Sequence, residues 1–463
     1  MKELKTTILL FCISVFSGIA QDITGDWYGT LKEFQLQIVF HIEKGENGFI
    51  ATMDSPNQDT FGIKVNSVNF ENGELQLAIP MGGIAYKGIV KSSESIEGTF
   101  SQGGMNLSLN LSRNADVEKT SRPQEPKKPY PYHSEDVFFE NAQAGIKLAG
   151  TFTYPKAEGK YPVVVLISGS GAQNRDEEIM GHKPFLVLAD YLTRHNIAVL
   201  RFDDRGTAES TGNFEGATSM DFATDVEAAV KYLHSRTEID KNKIGLIGHS
   251  EGGIIAPIVA SRNDNIAFIV LMAGTGLTGG EILLLQQELI GRASGMTEPM
   301  IKRTKELNQK ALEIICKNKD VEQIRKELRV FLEKSLTEED LAAFPKELDK
   351  KAIVEMQIQQ TTNPWMLHFI KFDPKTVLEK VKCPVLAING EKDLQVPPKE
   401  NLSAIESALK KGGNQSVTIL ELPGLNHLFQ EAETGAPSEY GLIEQTISPK
   451  VLELISNWIN NLK

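Results

Sequence analysis

Between residues 134 and 463, five short unbroken apolar runs are separated by stretches of helical periodicity: Val163–Ile167, Ile197–Leu200, Ile244–Ile247, Phe268–Met272 and Val385–Ile388. A strand that is apolar at every position has both faces buried, and strands joined through helices run parallel. The pattern predicts a parallel sheet covered by helices on both sides. In such sheets reactive groups gather at the carboxyl ends of the strands. The alternation is interrupted from about residue 277 to 382, in a stretch rich in Lys, Glu and Leu. There Ile324, Leu328, Phe331 and Leu332 form one stripe of an amphipathic helix. This stretch is read as a helical insertion that caps the site, with a charged outer face that serves solvation.

The first part of the chain has a different period. From Gly25 to about Arg113 apolar residues alternate with polar ones: Phe34, Leu36, Ile38, Phe40 and Ile42, then Leu75, Leu77 and Ile79, then Met105, Leu107, Leu109 and Leu111. Turn signals fall between them at 45–48, Asn72-Gly73 and Gly103-Gly104. About eight short strands fit, so residues 21–113 are expected to form a small antiparallel barrel or sandwich with a structural or binding role. Residues 114–133 carry Pro123, Pro126, Pro129 and Pro131 among charged residues, the composition of a semi-rigid linker.

Residues 1–20 combine Lys2 and Lys5, an apolar run from Ile8 to Ile13, and the small residues Gly18 and Ala20. They read as a signal peptide, so the protein is expected to be secreted or periplasmic. A lipoprotein signal using Cys12 is the rival reading, but Phe11 precedes that cysteine where a small residue is usual. Cys316 and Cys383 are then the remaining cysteines, too few for a disulfide framework or a four-ligand zinc site. A net charge of −12 over 463 residues argues against a nucleic-acid partner. No stable membrane span is expected either, since the apolar run is too short for one.

The chemistry-bearing pattern is Gly248-His249-Ser250-Glu251-Gly252, a G-x-S-x-G directly after a predicted strand and before the helical run Gly253–Ala256. Glycines flank the serine because the turn is too sharp for side chains, and the hydroxyl is held out over a helix N-terminus. Such a serine needs a base, and the base needs an orienting acid; in this turn type they follow in the order acid, then histidine. Asp393 lies just past the strand Val385–Ile388, with Glu391 as its neighbour and alternative. Only His368 and His427 follow Ser250. His368 stands within the cap, in Trp365–Phe369, whereas His427 follows a predicted strand, Val417–Leu422, on a glycine-containing loop. His427 is therefore taken as the base. An oxyanion hole needs two backbone N–H groups. Glu251 supplies one; the other is assigned to Ser170, with Gly171 as the alternative, in the loop 168–175. That loop has neither G-K-[ST] nor G-x-G-x-x-G, which argues against phosphate binding.

Ser168–Arg175, Phe202–Gly206, Gly248–Gly253, Gly390–Asp393 and Gly424–His427 together resemble the α/β-hydrolase superfamily, in particular its secreted esterase-like and serine-aminopeptidase-like members. The resemblance covers about residues 135–463. It implies an α/β-hydrolase sheet with a helical cap, here preceded by the small antiparallel all-β domain. It implies Ser250 as nucleophile, His427 as base, Asp393 as its partner and a Glu251 oxyanion donor, with no metal or organic cofactor. Many relatives have His-Gly where this chain has Ser168-Gly169, which leaves the second donor open. Asp203–Gly206 resembles a structural turn of the family. The partner expected is a small-molecule ester or amide, and a carboxylic-ester hydrolase is the first functional reading. An aminopeptidase or amidase with the same triad is the second, and a binding protein with a vestigial triad the third.

Overall fold

The computed structural model describes residues 22–32, 36–45, 48–56, 60–79, 83–102, 105–114, 121–341 and 349–462. The expected signal peptide with Cys12, Phe34, and the turn residues at 46–47 and 103–104 lie outside the described residues.

The first sheet is antiparallel throughout. Its strands are β1 (Gly25–Leu31), β2 (Leu36–Gly45), β3 (Gly48–Ser55), β4 (Thr60–Val65), β5 (Ser67–Glu71), β6 (Glu74–Ile79), β7 (Ile84–Ser92), β8 (Ser95–Gln102), β9 (Met105–Ser108) and β10 (Leu111–Ser112). Ten strands thus stand among the described residues where about eight were expected. The order β4-β3-β2-β1-β10-β8-β7-β6-β5 leaves β4 and β5 at opposite ends. Those two strands are joined by Asn66 alone, so the sheet curls until its ends meet, close to a barrel. The alternating residues fill the interior: Ile38, Phe40, Ile42, Leu75, Leu77, Ile79, Leu109 and Leu111 are buried around Trp27, Tyr86 and Phe100. The buried polar tips are matched, with Trp27 Nε1 donating to Ile23 O at 2.8 Å and Tyr86 Oη to Leu109 O at 3.2 Å.

The second sheet has the order β11-β12-β14-β13-β15-β16-β17-β18. Its members are β11 (His133–Asn141), β12 (Ile146–Tyr154), β13 (Tyr161–Ile167), β14 (Ala198–Phe202), β15 (Ile239–His249), β16 (Phe268–Met272), β17 (Val385–Gly390) and β18 (Val417–Leu422). The five apolar runs are its parallel centre, and β11 and β12 form an antiparallel hairpin at one edge. Each central strand feeds two cores. Val163, Val165 and Ile167 pack with α2 (Ser219–His234), α3 (Gly252–Ala260) and α11 (Pro398–Lys411), while Val164 and Leu166 pack with α1 (Pro184–Arg194) and α12 (Pro449–Asn460).

Between β16 and β17 the described residues of the insertion are helical: α4 (Gly279–Ala293), α5 (Glu298–Lys317), α6 (Val321–Ser335), α7 (Glu338–Leu341), α8 (Lys350–Thr361), α9 (Pro364–Lys371) and α10 (Lys375–Leu378). They have their own core, in which Ile324, Leu328 and Leu332 are buried with Ile315, Ile353 and Ile358. Phe331 of the same stripe is half-buried. Cys316 and Cys383 are both free thiols.

Residues 121–132 form neither helix nor strand but a run of turns and bends tied to the second sheet's loops. The Arg122 guanidinium donates to four carbonyls, those of Met180, Gly181, Gly441 and Ile443, at 2.7–3.1 Å. Gln124 donates to Ile447 O and accepts from the amides of Thr446 and Ile447. Beside this anchor, His182 is fully buried, its Nε2 donating to Tyr440 O at 2.8 Å and its Nδ1 3.0 Å from Thr446 Oγ1. Burial, assisted by the Arg122 charge, pulls its pKa down to about 4. The unfolded chain titrates this group near 6.5 and so binds the extra proton first. The associated stability is complete above pH 6.5 and is lost as pH falls towards 4, by roughly 3 kcal/mol. Urea unfolding at pH 7 and pH 4.5 should show a smaller pH-dependent loss in His182→Gln than in the wild type, by about that amount.

Candidate active site

Ser250 occupies the turn between β15 and α3 with φ = +52°, a left-handed conformation that costs a non-glycine residue about 1–2 kcal/mol. Its neighbours must be glycine for a steric reason. A Cβ on Gly248 would lie 2.0 Å from Gly252 O, and one on Gly252 would lie 2.1 Å from Ile167 O. Strand and helix are therefore in backbone contact, and the serine is held at the rim, partly exposed. Ser250 N–H donates to Met272 O at 2.9 Å, which pins the turn to β16.

Asp393 and His427 meet at the carboxyl ends of β17 and β18. His427 Nδ1 is 2.8 Å from Asp393 Oδ2, and both residues are buried. The other oxygen, Oδ1, accepts the amides of Gln395 and Val396 at 2.8 Å each, so the carboxylate is fixed before it meets the ring. With Nδ1–H donating to the carboxylate, the Nε2 lone pair is the one left to take a proton. Glu391, the alternative acid, instead accepts the Gly424 amide at 2.8 Å and ties down the start of the histidine loop. His368 stacks on Phe372 at 5.3 Å within the cap, where burial lowers its pKa.

Glu251 heads α3, so its amide is at the positive end of the helix dipole. Its side chain has a separate job. The carboxyl is buried and Oε1 accepts from Ser219 Oγ at 2.7 Å and from Trp365 Nε1 of cap helix α9 at 2.9 Å. Burial pushes its pKa up against these two hydrogen bonds. In the loop after β13, Ser170 and Gly171 are exposed, with Gly171 at φ = +98°. Gly169 comes close to the serine turn: a Cβ there would lie 3.3 Å from Ser250 Cβ.

The turn 203–206 holds this loop in place. Asp203 pairs with Arg175, Nη2 to Oδ2 at 2.6 Å. Asp204, half-buried and pushed by desolvation well above the ordinary carboxyl range, accepts from Ser168 Oγ and the Gln173 amide at 2.9 Å each. Arg205 makes a two-pronged contact with Asp225 at 2.7 and 3.0 Å. Sequence reasoning left this turn out of the chemistry and passed over Glu177 and His249, which pack under the site at 2.9 Å from each other. His249 carried a weak signal as the residue just before the serine; Glu177 carried none. Among the described residues no group of three or more His, Cys, Asp or Glu side chains is arranged to hold a metal.

The steric argument for the turn gives a direct expectation. Gly248→Ala forces backbone to move and should cost more than about 4 kcal/mol, enough to abolish folding in most backgrounds. Gly424→Ala has open space around it and only the strain of φ = +73°, so it should cost about 1 kcal/mol. Thermal melts of the two variants would separate these outcomes.

A family model described as serine aminopeptidase, S33 (Hydrolase_4) matches residues 183–433, more than half of the chain. Esterase EstD of Thermotoga maritima is 26% identical over 367 residues, covering 78% of this chain and 77% of that one. An uncharacterised 31.7 kDa protein from the traX-finO intergenic region of Escherichia coli is 22% identical, covering 67% and 94%. Among solved structures, the Pyrococcus furiosus esterase Pf2001 is 15% identical with a TM-score of 0.41, covering 71% of this chain and 92% of its own. The matched span runs from the start of α1 through the strained serine turn and the helical insertion to the histidine loop, and on that basis the chain belongs to the serine aminopeptidase S33 family of α/β-hydrolases.

Proposed function

We propose that this hydrolase is a serine hydrolase that cleaves carboxylic esters by two-step acyl transfer. Ser250 is the nucleophile, His427 the general base and acid, and Asp393 the partner that orients the imidazole. The observation that carries the reading is the Asp393–His427 hydrogen bond of 2.8 Å on the same sheet edge as a serine at φ = +52°. His427 Nε2 takes the Ser250 proton as Oγ attacks the substrate carbonyl, and the carbonyl π electrons move onto oxygen. The oxyanion is met by the Glu251 amide and a second amide of the 168–175 loop, Ser170 being the first choice and Gly171 the second. Collapse breaks the bond to the leaving group, which receives the proton from His427. Water then enters, gives a proton to His427 as its oxygen attacks the acyl carbon, and His427 returns that proton to Ser250 Oγ as the ester bond to the serine breaks and the acid leaves. Asp393 stays ionised and stabilises the imidazolium formed in each half.

Esters are ranked first with support from the similarity to an esterase along most of the chain. The description of the matching family supports a second reading, cleavage of amides next to a free amine. The same triad serves both, so the substrate panel decides. Purified protein is expected to hydrolyse short-chain p-nitrophenyl esters faster than aminoacyl anilides, and faster anilide cleavage would reverse the ranking. Ser250→Ala is expected to lower turnover by at least ~10³-fold while the fold is kept, and unchanged turnover would reject the nucleophile. A fluorophosphonate should label Ser250 and label it far more slowly in His427→Ala. Residues 1–20 are further proposed to direct export, with cleavage after Ala20, and N-terminal sequencing of the exported protein would find Gln21 first.

A further inference from the structure

The acyl-transfer scheme leaves unused a second acid–imidazole pair directly behind the site. His249 precedes Ser250 and is buried, with its ring centroid 4.9 Å from that of His427. Both of its ring nitrogens are engaged. Nδ1 is 2.9 Å from Glu177 Oε1, and Nε2 is 3.1 Å from the main-chain oxygen of His427. A carbonyl oxygen only accepts, so Nε2 carries a proton. Glu177 Oε1 also accepts the Gly169 amide at 2.7 Å. An oxygen that receives from two sides suits a carboxylate, and Nδ1 then carries a proton too. Glu177 itself is buried and holds φ = +50°, a strained conformation that its surroundings enforce.

These bonds join three loops. Glu177 and Gly169 follow β13, His249 ends β15, and His427 follows β18. They are the segments that carry the proposed oxyanion donor, nucleophile and base. We propose that Glu177 and His249 are positioning residues of this site: a buried carboxylate–imidazolium clamp that fixes the His427 main chain and the Gly169 amide relative to Ser250. The proposal rests on the nucleophile and base assigned above. Burial by itself would lower the His249 pKa, but the Glu177 charge and hydrogen bond, the His427 carbonyl and the Asp393 charge leave it raised. The titratable or charged groups facing the ring are Glu177 after β13, Asp393 after β17 and His427 after β18; Phe429 adds an aromatic edge at 6.4 Å. A clamp on main chain governs where the reacting groups stand at the moment of attack, so its loss acts on kcat more than on KM.

The test uses the full-length protein, a p-nitrophenyl ester, and NMR of protein labelled with ¹⁵N in its histidine rings. Glu177→Gln retains size and an acceptor oxygen but no charge. It is expected to lower kcat roughly 10- to 100-fold, as a displacement of about 1 Å does, with KM within about threefold. Labelling of Ser250 by a fluorophosphonate should slow by the same factor. In the wild type His249 should keep both ring protons past the pH at which an ordinary histidine loses its charge, and Glu177→Gln should abolish that retention. The His249 signals are identified by their loss in His249→Phe or, where that variant fails to fold, by their change in Glu177→Gln. A His249 with a single ring proton in the wild type, or an unchanged kcat in Glu177→Gln, would overturn the clamp. Retained hydrolysis in Ser250→Ala sinks the nucleophile assignment instead, an outcome that the two clamp readouts do not mimic.

Discussion

Backbone pressed against backbone is the constraint from which the site is built. At Gly248 and Gly252 the end of β15, the start of α3 and the end of β13 approach within distances that no side chain tolerates. The same holds at Gly253 against Gly274, and at Gly390, where a Cβ would lie 2.2 Å from Leu425 O. Two of these crossings join segments that bear proposed reacting groups. The serine turn meets the oxyanion loop, and the acid's strand meets the histidine's loop. Removing side chains at these points brings far-separated parts of the chain within hydrogen-bonding distance, and the left-handed strain at Ser250 is sustained because the crossings leave the turn no other path.

Buried acids form a second layer of organisation. Asp204, Glu251 and Asp225 all lie under the rim with burial raising their pKa values, and each is satisfied by specific donors. None is placed at random. Asp204 holds the 168–175 loop, Asp225 receives Arg205, and Glu251 receives the cap through Trp365. The last connection gives one residue two loyalties, its amide to the proposed oxyanion hole and its carboxyl to the lid. Cap position and the geometry of the first turn of α3 are thereby mechanically linked.

Much of this was legible in the sequence, for reasons that can be stated. The central strands of the second sheet show as continuous apolar runs because both faces are buried, and the first sheet shows as alternation because one face is wet. Chain order together with placement after predicted strands picked out Asp393 and His427, which are hydrogen-bonded in the structure. The hairpin β11–β12 was missed: only Val137, Phe138 and Phe139 are apolar in its first strand, between His133–Asp136 and Glu140, so that strand blends into the charged segment before it. Glu177 and Trp365 were invisible for a different reason. A glutamate in a loop reads as solvated and a tryptophan in a cap as packing, and only tertiary contact shows that each touches a residue of the serine turn.

The segment before the second sheet resembles a tether by composition, yet Arg122 threads its guanidinium among four carbonyls drawn from two loops. Those loops, 180–181 and 441–443, would otherwise turn bare acceptors towards water and lose their mutual spacing. The strap therefore acts as a missing edge of the hydrolase, borrowed from the chain that leads into it. A boundary drawn where the prolines end would cut away Arg122 and Gln124 with the carbonyls they hold; the smallest piece that retains both begins no later than Arg122.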